Sequence, residues 1–518
     1  MAIIDFFDRG WRINPDGRAY VTDTEQWSYS EARQLSCRIA HALRAAGLGP
    51  DAKVAVLSPN TPTAMISILG IWRAGLTWVP LNTANPMPDN RNLLERFDCS
   101  ALLFHSSQHA TVKELRGSLP AVALFVCLDE HLDDCQSLEQ WTTGQPSTHP
   151  DIEYLADAVV AIMPTGGTTG PSKGVMITNR GIAAAFAHMM LLLVYRADEA
   201  IVNLAAAPIT HTAGLLSMPT TARGGTVVIL PRPEPTAVLE AIERHRVTEL
   251  FLPPTVIYRL LESDSVLSCD HDSLRYFLYG AAPMSLDKLR RALDIFGPVM
   301  TGAYGQVEAF AAIAYLRPEE HFINGDQAPD SRLSSCGRPY PLIEVRILDE
   351  AGQQTRSDVP GEICVRGDLV MRGYYKDPEH TAATITDGWL HTGDIGYLDD
   401  TGYLHITDRK KDMIISGGFN VYPTEVEQVL WRHPAVLDCA VIGVPDEDWG
   451  EAVTAVVELN SGAEVTAVEL RALCREALGG IRTPKRIQFV DSLPRSPTGK
   501  VLRRDVRDRY WKDHTRLI

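Results

Sequence analysis

The stretch Met163–Val175, MPTGGTTGPSKGV, gathers four glycines, four hydroxyl side chains, one lysine and two prolines. Glycine lets backbone approach an anion closely and take the φ > 0 turns that aim successive N–H groups at one point. Gly166, Gly167 and Gly170 supply that freedom, Thr165, Thr168, Thr169 and Ser172 add hydroxyl donors, and Lys173 adds a full positive charge. Together they suit a polyphosphate. The stretch is not a P-loop of the G-x-x-x-x-G-K-[ST] kind, because Ser172 and Gly174 flank the lysine. A polar surface loop is the plain alternative.

Five further segments carry chemistry of the same kind. Gly280-Ala281-Ala282-Pro283 follows a strand-like run, and its small side chains leave a flat slot for an aromatic base; an ordinary turn reads the same. Gly302-Ala303-Tyr304-Gly305-Gln306-Val307-Glu308 can stack a ring on Tyr304 and set Glu308 near a phosphate-bound Mg²⁺, although a lone glutamate is usually just solvated. In Trp389–Asp394 the carboxylate of Asp394, in a glycine-flanked turn, can accept hydrogen bonds from a ribose diol; Asp beside Gly is also plain turn chemistry. Asp408-Arg409-Lys410-Lys411 offers a second sugar or phosphate contact, or a solvated charged hinge. Pro494–Lys500 forms a loop ending in a lysine that can swing into another domain's cleft, or simply cover surface.

The elements that must position these groups read as layered α/β. The chain has 518 residues, too many for one core. Apolar content is 45% and charged content 22%, ordinary for a globular protein. No apolar run is long enough to cross a bilayer, and the N-terminus shows no signal-peptide pattern. The nine cysteines are scattered without a C-x-x-C pair, which predicts reduced thiols in a cytoplasmic protein. A net charge of −16 disfavours nucleic acid as a partner. Residues 28–46, 61–74 and 181–193 read as helices, and 53–57, 76–80, 101–104, 158–163, 200–205, 226–230, 249–252 and 276–278 as strands. That alternation predicts doubly wound α/β layers, with the glycine loop between a strand and a helix. Beyond about residue 340, short strands and turns predict a β-rich subdomain. After Lys411 comes a compact α+β unit, so the expected domains are 1–410 and 411–518.

In order and spacing these segments resemble the acyl- and aryl-CoA synthetase branch of the adenylate-forming superfamily. The resemblance runs from about Trp27 to Arg503. It implies a large N-terminal domain, a small C-terminal lid that rotates between two half-reactions, and ATP (or acyl-AMP), Mg²⁺ and coenzyme A as the molecules handled. Residue by residue, it implies that Thr165–Lys173 is the phosphate loop and Gly280–Pro283 the adenine slot. Ala303, Tyr304 and Gly305 lie beside adenine, and Glu308 is the metal ligand. Asp394, Ile406 and Arg409 contact the nucleotide, with Lys411 as hinge. Lys500 is the catalytic lysine bridging substrate carboxylate and α-phosphate, with Lys173 and Thr165 assisting. Gly417, Gly418 and Phe419 belong to the lid segment that meets the pantetheine arm, and His211 is a gate at the acyl site. The small residues Ala205–Ala207, Ala303 and Ala309 can wall a roomy acyl pocket or serve packing.

Two positions depart from that pattern. The superfamily usually has threonine where Val307 stands. Losing a donor aimed at developing charge can cost about 10²-fold in rate. Val307 therefore keeps open an enzyme that forms thioesters from a preformed acyl-adenylate, and a ligase that loads a carrier protein is open too. The expected partners are a small carboxylic acid and, for the alternatives, an upstream adenylating enzyme or carrier protein, with a monomer or homodimer as the assembly. The second departure is Pro171-Ser172 ahead of Lys173, where the superfamily more often has proline directly before the lysine.

Overall fold

The computed structural model describes residues 1–165, 172–209, 214, 216–310, 312–446, 448–496 and 500–511. A six-stranded sheet runs in the order Leu124–Cys127, Cys99–Phe104, Lys53–Leu57, Thr77–Leu81, Val159–Pro164, Gly174–Thr178. All its neighbours are parallel except the last pair. A nine-stranded sheet contains the parallel run Met300–Tyr304, Tyr276–Gly280, Glu249–Leu252, Val202–Ala205, Thr226–Ile229, Arg18–Val21. Strands covered on both faces should be apolar throughout, and Val54–Leu57 and Thr77–Leu81 are buried along their length.

The helices start where their caps dictate. Ser28 Oγ accepts from Glu31 N, and the Glu31 carboxylate takes the Ser28 N–H in return, which opens Tyr29–Ala45. Thr61 caps Pro62–Arg73 more simply, its Oγ1 accepting from Ala64 N (3.2 Å). The sequence reading left Ile3–Ile13 unassigned; it is a helix whose Ile3, Ile4, Phe6 and Phe7 enter the main core.

The expected context of the glycine loop is corrected here. Val159–Pro164 pairs antiparallel with a strand Gly174–Thr178, so the loop closes a β-hairpin and the helix Asn179–Leu192 begins only after it. In GVMIT the buried Val175 and Ile177 alternate with the half-buried Met176, a strand period that the short run hid. The helix Asn179–Leu192 is thus separated from the loop by the strand Gly174–Thr178. Asp394 is also re-placed: it lies within a long strand, Trp389–Leu398, not in a turn, although Gly393 has φ +70°.

The β-rich segment is a five-stranded antiparallel sheet built from Glu344–Leu348, Gly361–Arg366, Ile385–Thr386, Trp389–Leu398 and Leu404–Arg409. Beyond it a further sheet carries the helices Pro423–Trp431 and Ala467–Arg482. Along its strand Val436–Asp446, Cys439 and Val441 pack toward those helices, while Ala440, Ile442 and Val444 pack with Leu493 and Val506 on the other face. Among the described residues no helix is long and apolar enough to cross a membrane. All nine cysteines are free.

Candidate active site

The base of the glycine loop is pinned from both sides. Thr165 N donates to the Lys173 carbonyl (2.9 Å), and Lys173 N donates to Thr165 Oγ1 (3.2 Å). The predicted contacts Gly166, Gly167, Thr168, Thr169 and Gly170 lie outside the described residues, as does the predicted gate His211. The Lys173 ammonium stands 4.7 Å over the ring of Tyr374. Tyr374 in turn donates its hydroxyl to Glu308 Oε1 (2.9 Å). The segment Met371–Tyr375 fastens these parts together: Met371 N donates to the Glu308 carbonyl (2.8 Å), Met176 N to that of Gly373 (3.0 Å) and Tyr375 N to that of Gly174 (2.8 Å). Sequence reasoning missed Tyr374, because an aromatic pair after a glycine carries no chemical signature of its own.

The segment Gly280–Pro283, expected to take adenine, lies at the C-terminal ends of two adjacent parallel strands, where open α/β sheets bind ligands. Gly280 faces Ala303, and a Cβ on Gly280 would stand 2.4 Å from the Ala303 carbonyl oxygen. Ala281 follows at φ +67°, a strained value for alanine, and leaves Ala281 and Pro283 exposed with Ala282 half-buried. Tyr304 ends the neighbouring strand, with Gly305 half-buried after it. Its hydroxyl donates to Asp394 Oδ2 (2.7 Å), while Arg409 Nε lies 3.2 Å from Asp394 Oδ1. Burial, with the Asp394 carboxylate adding to it, holds the Tyr304 hydroxyl well above the usual phenol range, so it remains a donor. Asp394 and Arg409 are cross-strand partners, and Ile406 sits on the same strand as Arg409, packed on the main core.

The C-terminal lysine reaches this group. Ser496 N donates to the Lys500 carbonyl (2.8 Å) and Lys500 N to Ser496 Oγ (3.1 Å), closing the loop whose residues 497–499 lie outside the described set. Burial, then repulsion from Arg409 and Arg503, brings the Lys500 ammonium down to about 7, with Asp394 and Asp412 opposing the shift. Residues of the third sheet thus bear on the charge of a lysine in the chain's tail.

Lys411 lies in the exposed turn after Leu404–Arg409, where Asp412 N donates to the Arg409 carbonyl (2.9 Å). Arg503 spans that turn: it meets Asp408 Oδ1 at 3.2 Å, Thr424 Oγ1 at 3.1 Å and Glu427 Oε1 at 3.0 Å. Gly417 and Gly418, at φ +59° and +80°, turn the hairpin Ile414–Val421, and Phe419 is exposed beside them. Among the described residues no hydrogen bond or ion pair joins that turn to Asp394, Arg409 or Lys500. Ala205 and Ala309 are buried in the main core and Ala206 in the second one, so these small residues serve packing, while Ala303 is half-buried.

The residues fit a magnesium ion carried in with a nucleotide. No cluster of three ligating side chains occurs among the described residues. Glu308 is a single half-buried carboxylate with one oxygen engaged by Tyr374, and the buried Gln306 Nε2 beside it has no partner. Mg²⁺ commonly takes one or two carboxylates and completes its shell with phosphate and water.

Two α/β layers, a β-rich subdomain and a smaller C-terminal α+β unit make the architecture of the ANL adenylate-forming enzymes. Residues 7–375 match the family model for AMP-binding enzymes and 425–500 that for the AMP-binding enzyme C-terminal domain. The chain belongs to the AMP-binding enzyme family. It is 36% identical to a feruloyl-CoA synthase from Amycolatopsis sp over 96% of this chain and 97% of that one. It is 34% identical to the medium/long-chain-fatty-acid–CoA ligase FadD8 of Mycobacterium tuberculosis over 94% of this chain and 86% of that one. ATP-bound MatB from Rhodopseudomonas palustris superposes with a TM-score of 0.89 at 31% identity, covering 99% of both chains. Relatives of this chain are thus AMP-forming acid–thiol ligases.

Proposed function

We propose that this chain is an ATP-dependent acyl-CoA ligase. The observation that carries the reading is the bonded group Tyr304–Asp394–Arg409 at the strand ends, near enough to Lys500 for Arg409 and Asp394 to bear on its charge. A carboxylate is a poor electrophile because its leaving group would be oxide. Attack of the carboxylate oxygen on the ATP α-phosphorus releases pyrophosphate and gives an acyl-adenylate, whose leaving group is then AMP. Gly280–Pro283 and Tyr304 would hold the base, and Asp394 and Arg409 the ribose. Thr165, Lys173 and the glycine loop would hold the phosphates. Lys500, when protonated, would neutralise charge building between carboxylate and α-phosphate. A Mg²⁺ ion held by Glu308 and phosphate oxygens would supply further charge neutralisation.

We place the hinge at Lys411, between units 1–410 and 411–518. Rotation there would withdraw Lys500 and bring the Gly417–Phe419 turn to the site for attack by the CoA thiol. Nine free thiols suit a reducing, cytoplasmic setting.

One observation favours a second reading. Val307 packs its side chain against the main core and has no hydroxyl to donate. An enzyme that takes a preformed acyl-adenylate, or that hands the acyl group to a carrier protein, would share every other feature. A panel of carboxylic acids with ATP, Mg²⁺ and either CoA or a phosphopantetheinylated carrier protein, scored separately for AMP and for thioester, tests both. Equal yields of the two products with CoA support the ligase. Thioester only from supplied acyl-AMP, or only on the carrier protein, supports the second reading, and no product from any acid or acyl-AMP overturns both.

A further inference from the structure

A second unsatisfied polar site lies behind the Tyr304–Glu308 segment. His188, on the helix Asn179–Leu192, is fully buried, and neither of its ring nitrogens has a partner at full hydrogen-bond geometry among the described residues, the Ala312 backbone being the one group that bonds it weakly. The other fully buried histidine shows how such a ring is normally accommodated: His321 bonds the Tyr279 hydroxyl (3.0 Å) through one nitrogen and the Arg317 carbonyl (2.8 Å) through the other. His188 instead stacks flat on Tyr340, with centroids 4.7 Å apart and planes at 5°. The Tyr340 hydroxyl finds only the Met189 thioether, at 3.9 Å. What surrounds the pair is apolar, and Ala185 and Ala312 in that lining are small. Buried polar atoms without good partners are uncommon in native folds, and two on one ring, beside a hydroxyl that finds only a thioether, call for a reason.

The position supplies one. Tyr340 N donates to the Ile313 carbonyl (3.0 Å), and Ile313 N donates to the Tyr304 carbonyl (2.9 Å), so two backbone bonds link the stacked pair to the nucleotide side of the site. The helix bearing His188 follows directly from the hairpin of the glycine loop. We infer that His188 and Tyr340 form the polar far end of the acid-binding region, and that the acid this enzyme takes carries a hydroxyl or keto oxygen remote from its carboxylate. The inference rests on the ligase reading above and names its substrate class.

The chemistry is that of a neutral imidazole. Burial lowers the His188 pKa, with the Ala312 backbone opposing, so the ring offers one donor and one acceptor. A hydroxyl can pair with either nitrogen and with the Tyr340 hydroxyl, and a keto oxygen can accept from the donors. An acid that ends in hydrocarbon leaves all of them unpaired, the situation in which sites discriminate strongly.

Two matched pairs of acids test it: 3-(4-hydroxyphenyl)propanoate against 3-phenylpropanoate, and 8-hydroxyoctanoate against octanoate. With the wild-type enzyme, kcat/KM for AMP release should favour the oxygenated member of at least one pair by about tenfold or more, the scale of one buried hydrogen bond. His188→Phe keeps a stacking ring but no nitrogens and should bring that ratio to near one. Tyr340→Phe removes a single oxygen and should lower the ratio with little change in melting temperature, which keeps the test sound if His188→Phe folds poorly. A ratio near one in the wild type, turnover of neither pair, or an equal fall for both members in the variants overturns the inference. Activity toward other acids would then leave the ligase reading standing, whereas no AMP from any acid would remove that reading too.

Discussion

Under the role proposed for Lys500, the pH dependence of adenylation turns on that side chain. A lysine ordinarily titrates near 10.5; burial, with Arg409 and Arg503 adding repulsion, brings this one to about 7. The difference corresponds to about 5 kcal/mol against the charged form, at 1.36 kcal/mol per pH unit. The docked lysine is protonated below pH 7 and neutral above it, while a lysine swung into solvent stays charged to about pH 10. The charge available to the α-phosphate is therefore lost as pH rises through about 7. On the hinge proposed above, docking of the unliganded C-terminal unit would release a proton in that window and strengthen over the same range. Substrate phosphate and carboxylate favour the charged form once bound, so the loss belongs in kcat/KM, which reports the free enzyme. Pyrophosphate release measured from about pH 6 to about pH 9 should give a kcat/KM that falls about tenfold per pH unit beyond the midpoint. Lys500→Arg stays charged throughout and should show no such limb, at a lower absolute rate. Lys500→Ala should lose about 10²-fold to 10³-fold in adenylation yet still convert supplied acyl-AMP and CoA to thioester. A wild-type profile flat between about pH 7 and about pH 9, or the same limb in Lys500→Arg, would refute the reasoning.

Other substitutions read other parts of the site. Val307→Thr restores a hydroxyl and should raise pyrophosphate exchange by about tenfold or more, leaving thioester formation from acyl-AMP unchanged; an unchanged exchange rate would show that Val307 is no handicap. Tyr304→Phe strips the donor from buried Asp394 and should cost about 1–3 kcal/mol, seen as a lower melting temperature together with a higher KM for ATP. Arg503→Met leaves the buried Asp408 and Glu427 without their cation and should cost about 3–5 kcal/mol, measured as earlier unfolding of the C-terminal unit in hydrogen exchange.

Much of the fold was legible because burial on both faces writes itself into sequence as apolar runs. The strands Lys53–Leu57 and Glu249–Leu252 have the bounds their residues predict. The misreadings share a physical cause. Gly174–Thr178 is five residues long, and its alternation was overshadowed by the glycines before it. Asp394 sits beside a glycine of positive φ, a local turn signal that cross-strand pairing with Arg409 overrides. The candidate site was legible in its motif residues, whose glycines, lysines and carboxylates have types that chemistry constrains. Tyr374, Arg503 and His188 were not, because what sets them apart is whom they touch, or fail to touch, across more than sixty residues of chain, as with the bond from Tyr374 to Glu308.

The central claim is that the hairpin base at Thr165 and Lys173 and the tail residue Lys500 act on one nucleotide. A crystal structure with a non-hydrolysable acyl-adenylate analogue tests it most directly. The account predicts the base against Ala281–Pro283, the ribose hydroxyls on Asp394, and both Lys173 and Lys500 directed at the acyl–phosphate linkage. An analogue bound away from either lysine, with its ribose clear of Asp394, would contradict it.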